Sequence, residues 1–353
     1  MTMDSISYAK SIIQNYNGRK LKIMEVCGTH THEIFRLGIR NLLPDSIELI
    51  SGPGCPVCVT PVGYIDQAIT LCLERNVTIC TFGDLVRVPS SNSSLAIARS
   101  KGGKVQVVYS PIDAVDYAIA NPNEDVTFLA VGFETTTPAS CLAVKKAKLN
   151  RIKNFSLLVA NKTMPNAYEV LKDSANAFLY PGHVHAITGT ALCKHLAEAE
   201  GVSGVVTGFT AKEILTALAV IVERYKLNEP FFENCYPRVV TDQGNVSAQS
   251  LMAQVMQPCD AEWRGLGVIK GSGLKLNALY SNYDAKVKYQ LKDISSSGNS
   301  ACRCGEILKG DCKPYDCPLF GKVCTPIHPI GACMVSNEGT CSAYYQYGGT
   351  LNG

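Results

Sequence analysis

Over its first 240 residues the sequence repeats one unit: a short β-branched apolar run, a turn rich in Gly, Thr or Pro, and a stretch with helical spacing. Such units are the sequence form of βα repeats, in which successive strands run parallel. Strands are predicted at 22–26, 47–50, 77–81, 105–109, 126–131, 156–159 and 202–207. Their apolar character is continuous rather than alternating, which suits strands covered on both faces. Helical spacing marks 32–43, 63–74 and 211–225. The expected fold class is α/β: two three-layer lobes with mainly parallel sheets, then a loop-rich C-terminal region.

At about 150 residues per domain, 353 residues leave room for two or three. The segment AIANPNED interrupts the strand series, placing a boundary near residue 118. The expected units are therefore a first lobe at 1–118, a second at 119–240, and a cysteine-rich region at 241–353, with SSSGNS (295–300) as a flexible lead into its cysteines. The net charge of +3 comes without any basic run that would track a phosphate backbone, so nucleic acid is not an expected partner. The most apolar stretch, 215–222, ends at Glu223 and Arg224, well short of the roughly 20 residues that span a bilayer. The start, MTMDSISYAK, carries polar residues where a secretory signal would be apolar, and the expected compartment is the cytoplasm.

Cysteine stands apart, with 16 residues, of which seven (Cys302, Cys304, Cys312, Cys317, Cys324, Cys333 and Cys341) fall between 302 and 341. In a reducing compartment such a cluster argues for metal or redox chemistry rather than structural disulfides. From Cys317 onward the intervals are x6, x8 and x7, with Pro and Gly supplying turns. Four thiolates so spaced can wrap an iron-sulfur cluster, and zinc is the competing occupant.

Open α/β sheets bind ligands beyond the carboxyl ends of their strands, and the unusual residues fall there. After the predicted first three strands come CGTHTHE (27–33), GPGCPVC (52–58) and TFGDLVRVPSS (81–91). VGFETTTP (131–138) and PGHVH (181–185) hold similar places in the second lobe. Cys55 and Cys58 have the spacing of a reversible dithiol or of two ligands to one metal. Cys27 sits where a strand enters a turn before a helix, a place that lowers a thiol pKa and favours nucleophilic attack or soft-metal binding; a buried core cysteine is the bland alternative. His30, His32 and Glu33 add ligands or acid-base groups, or simply cap the helix. Asp84 and Arg87 suit either substrate contact or a plain salt bridge. Glu134 and Thr135 to Thr137 suit a ligand or a loop that satisfies its own backbone. His183 and His185 alternate as on an extended segment, with a ligand or catalytic role or none. Cys72, Cys80, Cys141, Cys193, Cys235 and Cys259 read as core.

Together with the terminal CxCG, CPLFGKVCTP and GACMVSNEGTC, these motifs resemble those of the HypD family of hydrogenase maturation factors, in the family's order from residue 27 to 341. The resemblance implies an iron-binding thiol at Cys27, a redox pair at Cys55 and Cys58, and [4Fe-4S] ligands at Cys317, Cys324, Cys333 and Cys341. Cys302 and Cys304 belong to the same terminal pattern, and Cys312 takes no role. It further implies a scaffold with redox activity on which one iron acquires two cyanides and one carbon monoxide. The expected partners are a HypC-type small chaperone and a HypE-type cyanide donor. His30 or His32 would be a second iron ligand or a proton donor, and Asp84 joins the catalytic set. The three loops and the cluster should then meet in one cleft. The competing expectations are a stand-alone iron-sulfur thiol-disulfide reductase and a zinc-stabilised interaction protein.

Overall fold

The computed structural model describes residues 5–348 apart from 295 and 297, so the first four residues of MTMDSISYAK and two of SSSGNS lie outside it. Among the described residues nine strands form two parallel sheets. The first takes β1 (Leu21–Glu25), β2 (Ile47–Ser51), β7 (Ala177–Pro181), β8 (Gly204–Thr207) and β9 (Phe232–Asn234), in the order β2-β1-β7-β8-β9. The second takes β3 (Thr78–Thr81), β4 (Val105–Val107), β5 (Val126–Ala130) and β6 (Phe155–Val159), in the order β4-β3-β5-β6. Two further strands, β10 (Met256–Trp263) and β11 (Gly267–Leu276), make an antiparallel hairpin.

Continuous apolar strands do bury both faces. In the first sheet Leu21, Ile23, Leu179 and Val205 pack with Ile13, Ile214 and Leu218 on one side. Met24, Phe178, Tyr180 and Val206 pack with Tyr168 and Leu196 on the other. The second sheet divides likewise, Ile79, Leu129 and Leu158 to one core and Cys80, Phe128 and Leu157 to the other. Period-two alternation of this kind, apolar on both faces, is what an α/β sheet requires.

The lobes are interleaved along the chain. β3 and β4 precede residue 118 and share a sheet with β5 and β6, which follow it, with β3 paired to β5, so the expected break falls inside one sheet. The AIANPNED turn only ends the Pro111–Ala120 helix between β4 and β5. The strand that returns the chain to the first sheet, β7, has the sequence AFLYP, whose aromatic residues hid it from a β-branched pattern. The hairpin is a second departure from the expected loop-rich third region: Trp263 is fully buried in it and donates its indole N–H to Ser272 Oγ at 2.7 Å. The predicted 32–43 helix divides at Gly38 (φ +64°) into Gly28–Arg36 and a short 3-10 turn, Ile39–Leu42. Among the described residues no helix is long and apolar enough to cross a membrane.

Both sheets share one topology. In each, the chain steps outward from an inner strand and later resumes on that strand's other side, which puts a switch point between β1 and β7 and another between β3 and β5. Loops leaving the carboxyl ends at a switch point diverge and open a crevice. At the end of β1 the fully buried Glu25 carboxylate accepts hydrogen bonds from Thr31 Oγ1 and Ser51 Oγ, each at 2.8 Å, and pairs with the Arg40 guanidinium. Removing one partner of a buried pair strands the other charge, at about 3–5 kcal/mol. Arg40→Ala should therefore lower the free energy of denaturant unfolding by about that amount, and Glu25→Gln in the same chain should recover part of it; an Arg40→Ala change of no more than about 1 kcal/mol would show that the pair is not the anchor.

Candidate thiol and metal-assembly site

The residue after β1 and its flanking Val26 is Cys27, which also precedes the Gly28–Arg36 helix. Cys27 is 3% exposed, and its thiol lies 3.9 Å from His183 Nε2. Those two groups come from opposite sides of the β1/β7 switch point, which explains their meeting across 156 residues of sequence. Burial pushes the Cys27 thiol up to about 12, outweighing the helix-start N–H of His30 and the Thr29 contacts that pull it down. The lowered pKa expected at a helix N-terminus is thus overridden by desolvation. A soft cation binding there displaces the thiol proton.

His183 is half-buried, stacks on Phe209 at 5.0 Å and is driven by burial to about 4, hence neutral. His30 packs on Phe209 at 4.6 Å and is likewise pushed down to about 4 by burial. Its Nε2 lies 2.9 Å from the Gly208 carbonyl, which can only accept, so Nε2 carries the proton; the buried Nδ1 has no partner. His32 turns away, its Nε2 3.1 Å from Tyr347 Oη. His183 and His185 lie on a helix, Gly182–Thr188, and not on an extended segment. Two positions apart on a helix is nearly opposite in direction. Accordingly His185 faces the core, with Nδ1 2.9 Å from the Gly189 carbonyl and Nε2 3.7 Å from Cys193 Sγ.

The GPGCPVC loop is fitted to Cys27 by glycine. The Gly28 N–H donates to the Gly54 carbonyl at 3.1 Å, and a Cβ on Gly54 would sit 2.2 Å from the Cys27 backbone. Both Cys55 (3% exposed) and Cys58 (0%) are buried, and the Cys58 thiol contacts Cys55 and Cys333. Those two thiols, then burial, hold Cys58 well above its ordinary pKa. Cys333 carries the opposite shift, lowered by hydrogen bonds from Cys304, Cys341 and Cys58. The dithiol and the terminal cysteines therefore share one contact network.

The third loop holds the terminal region in place. Arg87 donates to the carbonyls of Pro326 (2.9 Å) and Val335 (3.3 Å). Asp84 is exposed on the 3-10 turn Gly83–Arg87, with no hydrogen bond or ion pair to the other site residues among the described contacts. The segment MVSNEG docks on the start of the Cys27 helix: Thr29 Oγ1 donates to Glu338 Oε1 at 2.7 Å, and Gly28 has no room for a Cβ beneath the Glu338 carbonyl, 2.4 Å away.

Cys317, Cys324, Cys333 and Cys341 are all buried in the core that contains the dithiol. Cys324 Sγ accepts the Ile330 N–H at 3.3 Å, while Cys317 Sγ faces the Ala301 carbonyl at 4.0 Å. Cys304, to which the sequence assigned no role of its own, contacts Cys333 and Cys341, and its sulfur lies 3.3 Å from that of Cys302. Gly331 makes room for both, since a Cβ there would meet them at 2.5 and 2.8 Å. The CxCG spacing was the available signal for this pair. Among the described residues no group of three or more His, Cys, Asp or Glu is arranged to hold a single metal ion. An all-sulfur donor set with a glycine cradle and a backbone N–H on one sulfur does fit a sulfur-ligated cluster.

The HypD family model, described as "Hydrogenase formation hypA family", matches residues 4–348. The chain is similar to hydrogenase maturation factor HypD of Escherichia coli K12, 43% identical over 336 residues, which is 93% of this chain and 90% of that protein. It is 40% identical over 343 residues to HypD of Cupriavidus necator, covering 94% and 90% of the two chains. With HypD2 of Bradyrhizobium diazoefficiens it shares 40% identity over 357 residues, 98% and 94% of the two. The order of the motifs, their convergence around Cys27 and a match over nearly the whole length agree: the chain belongs to the HypD family of hydrogenase maturation factors.

Proposed function

We propose that this protein is a cytoplasmic scaffold with redox activity on which an iron ion receives two cyanides and one carbon monoxide for a nickel-iron hydrogenase. Its partners in this role are a HypC-type small chaperone, which shares the iron, and a HypE-type donor, which brings cyanide as a protein thiocyanate. The observation that carries the proposal is the junction of Cys27 with the Cys55/Cys58 dithiol, made by Gly54 against the Cys27 backbone. Cys27 is the soft ligand that receives the iron, with the neutral His183 at 3.9 Å on its other side.

Cleaving the thiocyanate takes two electrons. One protein S–CN and two thiols become one protein S–H, one disulfide and one hydrogen cyanide, with the S–C bond broken and an S–S bond formed. Cys55 and Cys58 contact each other and supply that electron pair. A [4Fe-4S] cluster held by Cys317, Cys324, Cys333 and Cys341, with Cys302 and Cys304 packed against it, would supply single electrons when bound. Cys55 and Cys58 are buried, at 3% and 0% exposure, so the thiocyanate reaches them only within a complex that opens this core.

In the complex with the small chaperone, Cys27→Ala should abolish the infrared bands of metal-bound cyanide and carbon monoxide while leaving the visible absorption of the cluster. Bands that persist in that variant would refute the role of Cys27. Anaerobically purified protein should contain iron and acid-labile sulfide, and Cys341→Ala should lose both together with the brown colour. Zinc in place of iron and sulfide would overturn the cluster assignment.

A further inference from the structure

Three buried oxygens near the dithiol core have no hydrogen-bond partner: Glu134 Oε2, Tyr168 Oη and Tyr180 Oη. Buried polar atoms are nearly always paired, so a group of unmet ones marks a place that something else completes. Glu134 is 2% exposed and leaves the carboxyl end of β5, at the second sheet's switch point. Its Oε1 accepts the Met164 N–H at 2.9 Å, which anchors one oxygen and leaves the other open. Tyr168 lies one helical turn further on, its N–H bonded to the Met164 carbonyl at 3.2 Å. The Tyr168 ring packs on Tyr180 of β7 at 4.8 Å, so the three groups come from both lobes.

Tyr168 shares its core with Val26, which flanks Cys27, and with Cys55 and Cys58. Phe133, the residue before Glu134, belongs to that same core. Phe133 stacks on the buried Trp263 at 5.8 Å beside this group and helps keep it dry. Burial pushes the Glu134 carboxyl up to about 7, which brings its protonated, donating form into the neutral range.

Resting on the iron-assembly role above, we propose that Glu134 and Tyr168 form a buried hydrogen-bonding subsite for the nitrogen end of a cyanide on the iron at Cys27. Neutral O–H donors suit this ligand. A bound cyanide is small, linear and negatively charged, and its nitrogen accepts hydrogen bonds without donating any, whereas a metal carbonyl's oxygen is a poor acceptor. Fixed donors in a dry site stabilise such charge without the solvent reorganisation that water would need. The subsite thereby favours cyanide over carbon monoxide at one coordination position.

The test is the infrared spectrum of the iron-loaded complex of the full chain with its small chaperone, for wild type, Tyr168→Phe and Glu134→Gln, with a melting curve for each. In Tyr168→Phe one cyanide band should move and the carbonyl band should move less. Its melting temperature should stay level or rise, because the substitution deletes an oxygen that has no partner in the empty protein. Glu134→Gln keeps an N–H donor at the same place and should displace the band less. Cyanide bands unmoved in Tyr168→Phe would overturn the subsite and leave the scaffold role standing. A marked fall in that variant's melting temperature would overturn it too, by showing that the hydroxyl is held by an ordered water as a structural bond. A wild-type complex with no cyanide bands would instead remove the iron-assembly role, and the subsite with it.

Discussion

The Glu25 carboxylate, fully buried at the carboxyl end of β1, is bonded by Thr31 from the Cys27 helix, by Ser51 from the end of β2 and by Arg40 from the following turn. An ion of this kind loses several kcal/mol on leaving water, which only a full set of partners offsets. Each partner therefore has one permitted place, and together they fix where the chain turns after β1 and β2. Cys27 follows from the first turn, and the glycine-lined approach of Gly54 to its backbone from the second. The placement of Cys27 and of the Gly54 turn thus starts from that polar anchor.

Interleaving of the two lobes does the rest. Because β7 lies against β1, the Gly182–Thr188 helix that follows it starts beside CGTHTHE and delivers His183 to Cys27. The second sheet, inserted between β2 and β7 in sequence, presents the Glu134 loop and the Asp84–Arg87 turn from its own switch point. The terminal cysteines are then pinned by Arg87 from one sheet and by Thr29 from the other. Cys58 contacting Cys333 is the outcome, which joins the Cys55/Cys58 pair to the terminal cysteines.

The sequence made the strands with β-branched runs legible, along with the loops at their ends and the separation of cysteines into a lone thiol, a pair and a terminal set. Strand β7 was not legible, because Phe178, Leu179 and Tyr180 carry no β-branching and the following PGHVH drew attention as a motif. Missing it hid the return of the chain to its first sheet, and with that the pairing of His183 with Cys27. A polar turn such as AIANPNED looks alike whether it separates lobes or, as here, two strands of one sheet. Burial was the other illegible quantity. The sequence places Cys27 at a helix start, where its pKa should fall, but only the fold shows that desolvation wins. In sequence Glu134 suits a ligand and a self-satisfied loop equally, and only the fold leaves one of its oxygens buried without a partner.

In the proposed function Cys27 and the Cys55/Cys58 pair work in one buried place. It is tested most directly by mixing the reduced, iron-loaded complex with the thiocyanate-bearing donor, trapping free thiols by alkylation, and mapping them by mass spectrometry against the cyanide transferred. One Cys55–Cys58 disulfide should appear for each cyanide delivered to the iron, with Cys27 protected from alkylation throughout. Cyanide delivered while both Cys55 and Cys58 stay reduced and alkylatable would contradict the account.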